Sequence, residues 1–261
     1  MGHRGGDPSG LHGARRPGMN PLLAAAGIAM AALFVRGFTG FGSALIMTPL
    51  LLFFFDIRAT VVATAIVEIL GSFWVTVQAR KDIDHSHLRM LLPVALLGML
   101  AGWLTLITIE DAKLKRVFGT LTVLFAVRMI INFRRQGSNR KRWPSVIGYP
   151  AGAMSGLLGG LFGTAGPPIV VFLENQTTPK AVLRATLLAY FVAVDVLRMI
   201  PYALSKLVTV EVLGMSAAMF PASLIGAYLG GKLQARVSES AFRLVVGAVL
   251  LATGVLLALG E

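Results

Sequence analysis

Apolar residues fall into long runs separated by short polar or basic connections, and this spacing sets the first expectation. The runs cover approximately 21 to 35, 43 to 55, 59 to 78, 88 to 109 and 114 to 133, then 144 to 158, 164 to 176, 180 to 203, 209 to 230 and 240 to 259. Three stretches carry no charge at all: Met90 to Ile109 (20 residues), Pro144 to Leu173 (30) and Val212 to Gly231 (20). About 20 apolar residues in a helix cross roughly 30 Å of hydrocarbon. A strand-like alternation of apolar and polar positions is missing, and backbone exposed to lipid must satisfy its own hydrogen bonds, so these runs are expected to be helices.

The ten runs fall into two sets of five, divided by a basic connection with Arg134, Arg135, Arg140, Lys141 and Arg142. Laying Pro49 on Pro168 brings Gly37 onto Gly156, Gly40 onto Gly159 and Phe53 onto Phe172; about three extra residues then bring Ala63-Thr64 onto Ala185-Thr186. Each half thus places a Gly-rich break and a proline in its first apolar stretch, the pattern that marks binding sites in transporters built from repeats. The expected fold is an all-α polytopic membrane protein of two homologous halves related by inversion. It would have eight full transmembrane helices, or up to ten membrane segments with broken or re-entrant half-helices. The expected divisions are a disordered tail (1–18), a first transmembrane repeat (19–133), a basic connecting loop (134–143) and a second repeat (144–261).

Composition supports the membrane reading. The chain of 261 residues is 56% hydrophobic and 14% charged, against roughly 25% charged residues in soluble domains. Its net charge of +12 sits in the connections and forms no basic face, which argues against nucleic-acid binding. Retention of Lys and Arg on the cytoplasmic side explains it instead. Placing the central connection inside also puts Arg80, Lys81, Arg89, Lys180, Arg184, Lys232, Arg236 and Arg243 inside, with Lys113, Lys115, Arg116 and the tail arginines outside. The segment 21 to 35 lacks the cleavage pattern of a signal peptide. With no cysteine, disulfides and thiolate chemistry are excluded.

Two motifs carry the candidate chemistry. They are Gly37-Phe-Thr-Gly-Phe-Gly-Ser-Ala-Leu-Ile-Met-Thr-Pro49 and Gly159-Gly-Leu-Phe-Gly-Thr-Ala-Gly-Pro-Pro168. Glycine and proline interrupt a helix and free backbone N–H groups, and a half-helix starting at the break presents its positive end to an anion. Candidate substrate-binding residues are therefore Gly40, Gly42, Ser43, Thr48 and Pro49 in the first motif, and Gly160, Gly163, Thr164, Gly166, Pro167 and Pro168 in the second. The alternative is that the glycines serve close helix packing.

GFTGFGSALIMTPLL and GGLFGTAGPPIVVFL resemble the two signature stretches of the sulfite exporter TauE/SafE family of membrane anion transporters. The likeness spans roughly residues 21 to 259. It implies transport of sulfite, sulfonates and related small anions. The first motif differs from the common pattern of three consecutive glycines, having Gly40-Phe41-Gly42-Ser43 instead.

Ionisable residues within apolar segments are functional candidates by default. Asp195 and Arg198, spaced i, i+3, can pair with each other. Glu68 has no cation within a helical turn and is the candidate proton carrier, because a protonated carboxyl is tolerated in a low-dielectric site. Arg128 and Glu174 are further ionisable positions, Glu174 reading as an interfacial end residue. His85 and His87 read as members of a solvated loop, and Trp74, Trp103 and Trp143 as interfacial anchors. Enzyme motifs are missing, and nothing calls for a cofactor or a metal. The reading is a proton-coupled secondary transporter of a small anion in the inner membrane, working by alternating access. A passive anion channel or a membrane assembly partner without transport is the alternative.

Overall fold

A computed structural model describes residues 20–132, 142–176, 179–233 and 239–259. The tail 1–18, nearly all of the connection 134–143 and the Trp74 side chain lie outside the described residues. Among the described residues there are ten α-helices and no strand. They are α1 (Pro21–Thr39), α2 (Ser43–Leu51), α3 (Ile57–Gln78), α4 (His85–Thr108), α5 (Asp111–Asn132), α6 (Gly148–Phe162), α7 (Gly166–Glu174), α8 (Lys180–Leu204), α9 (Val210–Leu233) and α10 (Glu239–Leu259). Every expected apolar run is a helix with ends moved by a few residues. Five stretches of helix are long and apolar enough to cross a membrane: Ile57–Gln78, His85–Thr108, Ser145–Phe162, Ala181–Leu204 and Val210–Lys232. Large apolar side chains such as Leu97, Leu124 and Ile131 face outward, while Arg36, Glu68, Asp195 and Arg198 are buried. Apolar outside and charged inside suits a protein whose solvent is lipid.

Both helix breaks have a local cause. Gly40 ends α1 with φ 85°, Gly42 precedes α2 with φ 92°, and Gly163 ends α6 with φ 75°. A side chain is disfavoured in that left-handed region, so glycine permits the abrupt turn. Pro167 and Pro168 then sit in the first turn of α7, where a missing N–H does least harm. The prolines used to lay one half on the other are not equivalent: Pro49 lies near the end of α2, Pro168 at the start of α7. The short helices and those after them instead begin a constant 123 residues apart (166 − 43 and 180 − 57).

Small residues fix which helices meet. On α1 and α9, a Cβ at Gly226 or Gly230 would collide with the carbonyl oxygens of Met30 or Phe34. On α4 and α6, a Cβ at Gly98 or Gly102 would collide with those of Ala153 or Leu157. Met30 and Phe34 lie the same 123 residues before Ala153 and Leu157 (153 − 30 and 157 − 34). Gly-xxx-Gly seams of this kind let backbones approach where lipid supplies no hydrophobic drive between helices.

Helix directions follow from contacts at the ends. Asp84 N–H, after α3, donates to Thr186 Oγ1 near the start of α8 at 2.9 Å, so α3 and α8 run antiparallel. Trp103 Nε1, near the end of α4, donates to Ser205 Oγ just after α8 at 2.9 Å. Arg58 at the start of α3 reaches Asp111 at the start of α5, 2.6 Å away. Lys115 Nζ donates to the Leu52 carbonyl at 3.3 Å, which brings the end of α2 back to that same side.

Candidate functional site

Four buried charges from three helices converge beside the two breaks. Arg36 stands in the last turn of α1, Glu68 in the middle of α3, and Asp195 and Arg198 one turn apart on α8; none is more than 4% exposed. Arg36 Nη1 lies 3.1 Å from Glu68 Oε1. Arg198 Nη2 lies 2.9 Å from Asp195 Oδ1 and 3.7 Å from Glu68 Oε2. The expected Asp195–Arg198 pair is therefore present. Glu68 differs from the expectation, because two cations flank it. Neither lies on its own helix, and tertiary packing brings them in.

The α1–α2 break extends this network. Ser43, the first residue of α2, donates through Oγ to Glu68 Oε1 and accepts from Arg36 Nη1 at 3.3 Å. No side chain caps the α2 N-terminus, so its positive end remains available to an anion. Across the gap, the α6–α7 break is braced from α8 and α6. Arg198 Nη1 donates to the Gly159 carbonyl at 3.1 Å, and the Tyr202 hydroxyl to the Gly160 carbonyl at 2.8 Å. The Tyr190 hydroxyl donates to Ser155 Oγ at 2.9 Å, and Ser155 Oγ in turn donates a hydrogen bond to the Ala165 carbonyl.

Between the breaks lies a small crevice. Gly42 and Ser43 line it from one side, Gly163, Thr164 and Gly166 from the other. Glu68, Asp195, Arg36 and Phe191 complete its wall. The remaining sequence candidates lie elsewhere. Gly40 abuts the Arg184 side chain, whose Nη2 donates to the Gly37 carbonyl at 2.8 Å. Thr48 and Pro49 are buried inside α2, and the Thr48 hydroxyl has no partner. Gly160 belongs to the α4–α6 seam, where a Cβ would collide with the Met99 carbonyl. Pro167 and Pro168 form the first turn of α7 and leave it two amide donors short, so α2 is the stronger anion pole. Arg198 is wholly buried behind Asp195.

Arg36 was not a candidate in the sequence, where it reads as the basic end of an apolar run. Its one signal is position: four residues ahead of Gly40, it lies inside the last helical turn. His87 departs from the solvated-loop expectation, since it lies in the first turn of α4, with Nδ1 2.7 Å from Asp84 and its ring edge-on to Phe172. Arg128 is exposed on α5 and Glu174 ends α7 half-buried.

A helical membrane protein whose interrupted helices enclose a charged crevice belongs to the transporter class. The chain is a member of the sulfite exporter TauE/SafE family, whose model matches residues 24–257. That family consists of membrane exporters of sulfite and related anions. No curated protein and no solved structure matches the chain.

Proposed function

We propose that this protein is a secondary transporter that moves a small oxyanion, such as sulfite or an organosulfonate, together with a proton across the inner membrane. The carrying observation is that both helix breaks open onto one crevice beside a buried cluster whose formal charges balance, with two arginines against two carboxylates. An anion added to a balanced site of low dielectric leaves an uncompensated negative charge. Taking up a proton on Glu68 removes it. Glu68 is placed for this, because it lines the crevice and contacts the α2 terminus through Ser43, and an anion bound beside Arg36 would offset the cations that otherwise favour its ionised form.

The halves, α1–α5 and α6–α10, read as an inverted repeat. Support comes from the antiparallel α3 and α8, which are counterparts 123 residues apart (180 − 57). The exchanged partnerships of α1 with α9 and α4 with α6 agree. In each half the first helix goes in, the short helix returns, and three long helices cross. Such halves can rock about a shared site, which is the basis of alternating access. With the basic connection in the cytoplasm, the end of α3 and the start of α8 lie inside.

The test is uptake of radiolabelled sulfite by proteoliposomes after a pH jump. Accumulation above the equilibrium set by the membrane potential supports coupled transport. Uptake that only follows the electrochemical gradient, without proton movement, identifies a passive channel.

A further inference from the structure

We infer that Arg36 is the residue that recognises the anion, and that it selects oxyanions over halides through the Nε–Nη2 edge of its guanidinium. This rests on the crevice being the transport site, and names the group in it that reads the substrate.

Among the described residues lining the crevice, Arg36 is the one cation. Its side chain is 96% buried (100 − 4), yet only one of its three nitrogens is in use. Nη1 serves both Ser43 and Glu68. Nε and Nη2 are buried and have no hydrogen-bond partner. A buried charged donor without a partner is destabilising, and here two adjacent donors on one edge share that state. Those two N–H groups run parallel in the plane of the guanidinium. They match two oxygens carried by a single atom, the arrangement of sulfite, sulfonate and carboxylate. A halide offers one atom and can take up only one of them well.

The surroundings hold that edge in place. Phe191 lies under the guanidinium, 5.7 Å from its carbon to the ring centroid, and Nη1 is fixed by Ser43 and Glu68 from α2 and α3. The groups facing Glu68 are Arg36 from α1, Ser43 from α2, and Asp195 and Arg198 from α8. An oxyanion on the free edge of Arg36 therefore shares one guanidinium with Glu68, which places the added charge next to the carboxylate that must take the proton. Arg198 differs, since it does not line the crevice and its guanidinium is paired with Asp195 at 2.9 Å and with the Gly159 carbonyl.

The test compares sodium methanesulfonate with sodium chloride as ligands of the purified full chain, read by thermal unfolding in detergent. Methanesulfonate keeps its charge at every working pH, so proton uptake by the ligand does not enter. Wild-type protein should be stabilised saturably by methanesulfonate, and by chloride only at concentrations about tenfold or more higher, the equivalent of one charge-assisted hydrogen bond. Arg36→Lys keeps a cation for Glu68 but has no fork; its methanesulfonate affinity should fall about tenfold, erasing the preference. Equal stabilisation of the wild type by the two salts overturns the inference even if Arg36→Lys fails to fold, and so does a folded Arg36→Lys that keeps the preference. Gly166→Leu separates the two levels, because a Cβ at Gly166 meets nothing closer than Phe191 at 3.9 Å and a larger side chain fills the crevice. Sulfite transport blocked by Gly166→Leu, with selectivity unchanged in Arg36→Lys, sinks the assignment of Arg36 alone. Transport untouched by both substitutions sinks the crevice as well.

Discussion

Arg36 and Glu68, from the last turn of α1 and the middle of α3, meet at 3.1 Å inside the protein, and Ser43 at the start of α2 touches both. One ion pair thereby ties the first helix break to a long helix that crosses the molecule. A buried pair of this kind gives little net stability against an apolar replacement, whereas removing one partner leaves an expensive lone charge. Its presence here is better explained by work at the site than by the needs of folding.

Glu68→Gln and Asp195→Asn should separate transport from stability. In Glu68→Gln the amide oxygen can still accept from Ser43 and Arg36, so the folded protein should survive. Proton-driven accumulation should be lost, while counterflow exchange of the anion continues, since exchange moves no net proton. Asp195→Asn removes the closest partner of the wholly buried Arg198 and should lower stability by about 3 kcal/mol. Undiminished proton-driven uptake by Glu68→Gln removes Glu68 from the mechanism.

The glycine seams predict a contrast between positions of the same residue type. Gly156→Ala puts a Cβ into the Ala95 carbonyl across the α4–α6 contact and should destabilise by about 1–3 kcal/mol. Gly27→Ala, in α1 with nothing within 4 Å of the added carbon, should be neutral or stabilising by up to about 1 kcal/mol. Thermal unfolding of the two variants in the same detergent measures both.

Helix existence and both breaks were legible in the sequence because their causes are local: run length, Gly at a left-handed turn, Pro in a first turn. What was not legible depends on distant partners. Glu68 looked isolated since its cations come from α1 and α8. Gly160 resembled its site-lining neighbours Gly163 and Gly166, and only the approach of Met99 on α4 assigns it to a seam. Arg36 looked like a boundary residue because nothing in one dimension shows that α1 ends inside the protein. The proline-based alignment of the halves was misleading, because Pro49 and Pro168 occupy opposite ends of α2 and α7.

Asp84 caps α4 outside the membrane, accepting from the Ser86 and His87 amides at 2.9 and 3.2 Å. Partial burial acts to raise its pKa, but the hydrogen bond and charge of His87 outweigh it and the carboxyl is held below its ordinary 3.8. A carboxylate with a depressed folded pKa stabilises above its unfolded value and loses that contribution as pH falls through the folded one. Asp84→Ala should therefore cost about 1 kcal/mol near neutral pH. The difference from wild type should shrink below about pH 4, as followed by unfolding at stepped pH.

The proposed inversion of the halves would place Lys81 and Lys206, in the connections after α3 and α8, on opposite sides of the membrane. The chain has no cysteine, so Lys81→Cys and Lys206→Cys each give a single label site. An impermeant maleimide should reach the first only from the cytoplasmic face and the second only from the outer face. Labelling of both from one side rules out the inverted arrangement.

The central claim, that the crevice between the two breaks holds the anion, is tested most directly by locating a heavy oxyanion there. Selenite is the heavier analogue of sulfite, and a chain without cysteine offers no thiol to consume it. A crystal structure of the transport-active protein with selenite should show a selenium anomalous peak within hydrogen-bonding reach of Arg36, facing the N-terminus of α2. A peak bound elsewhere, with the crevice empty at concentrations that saturate transport, would contradict the account.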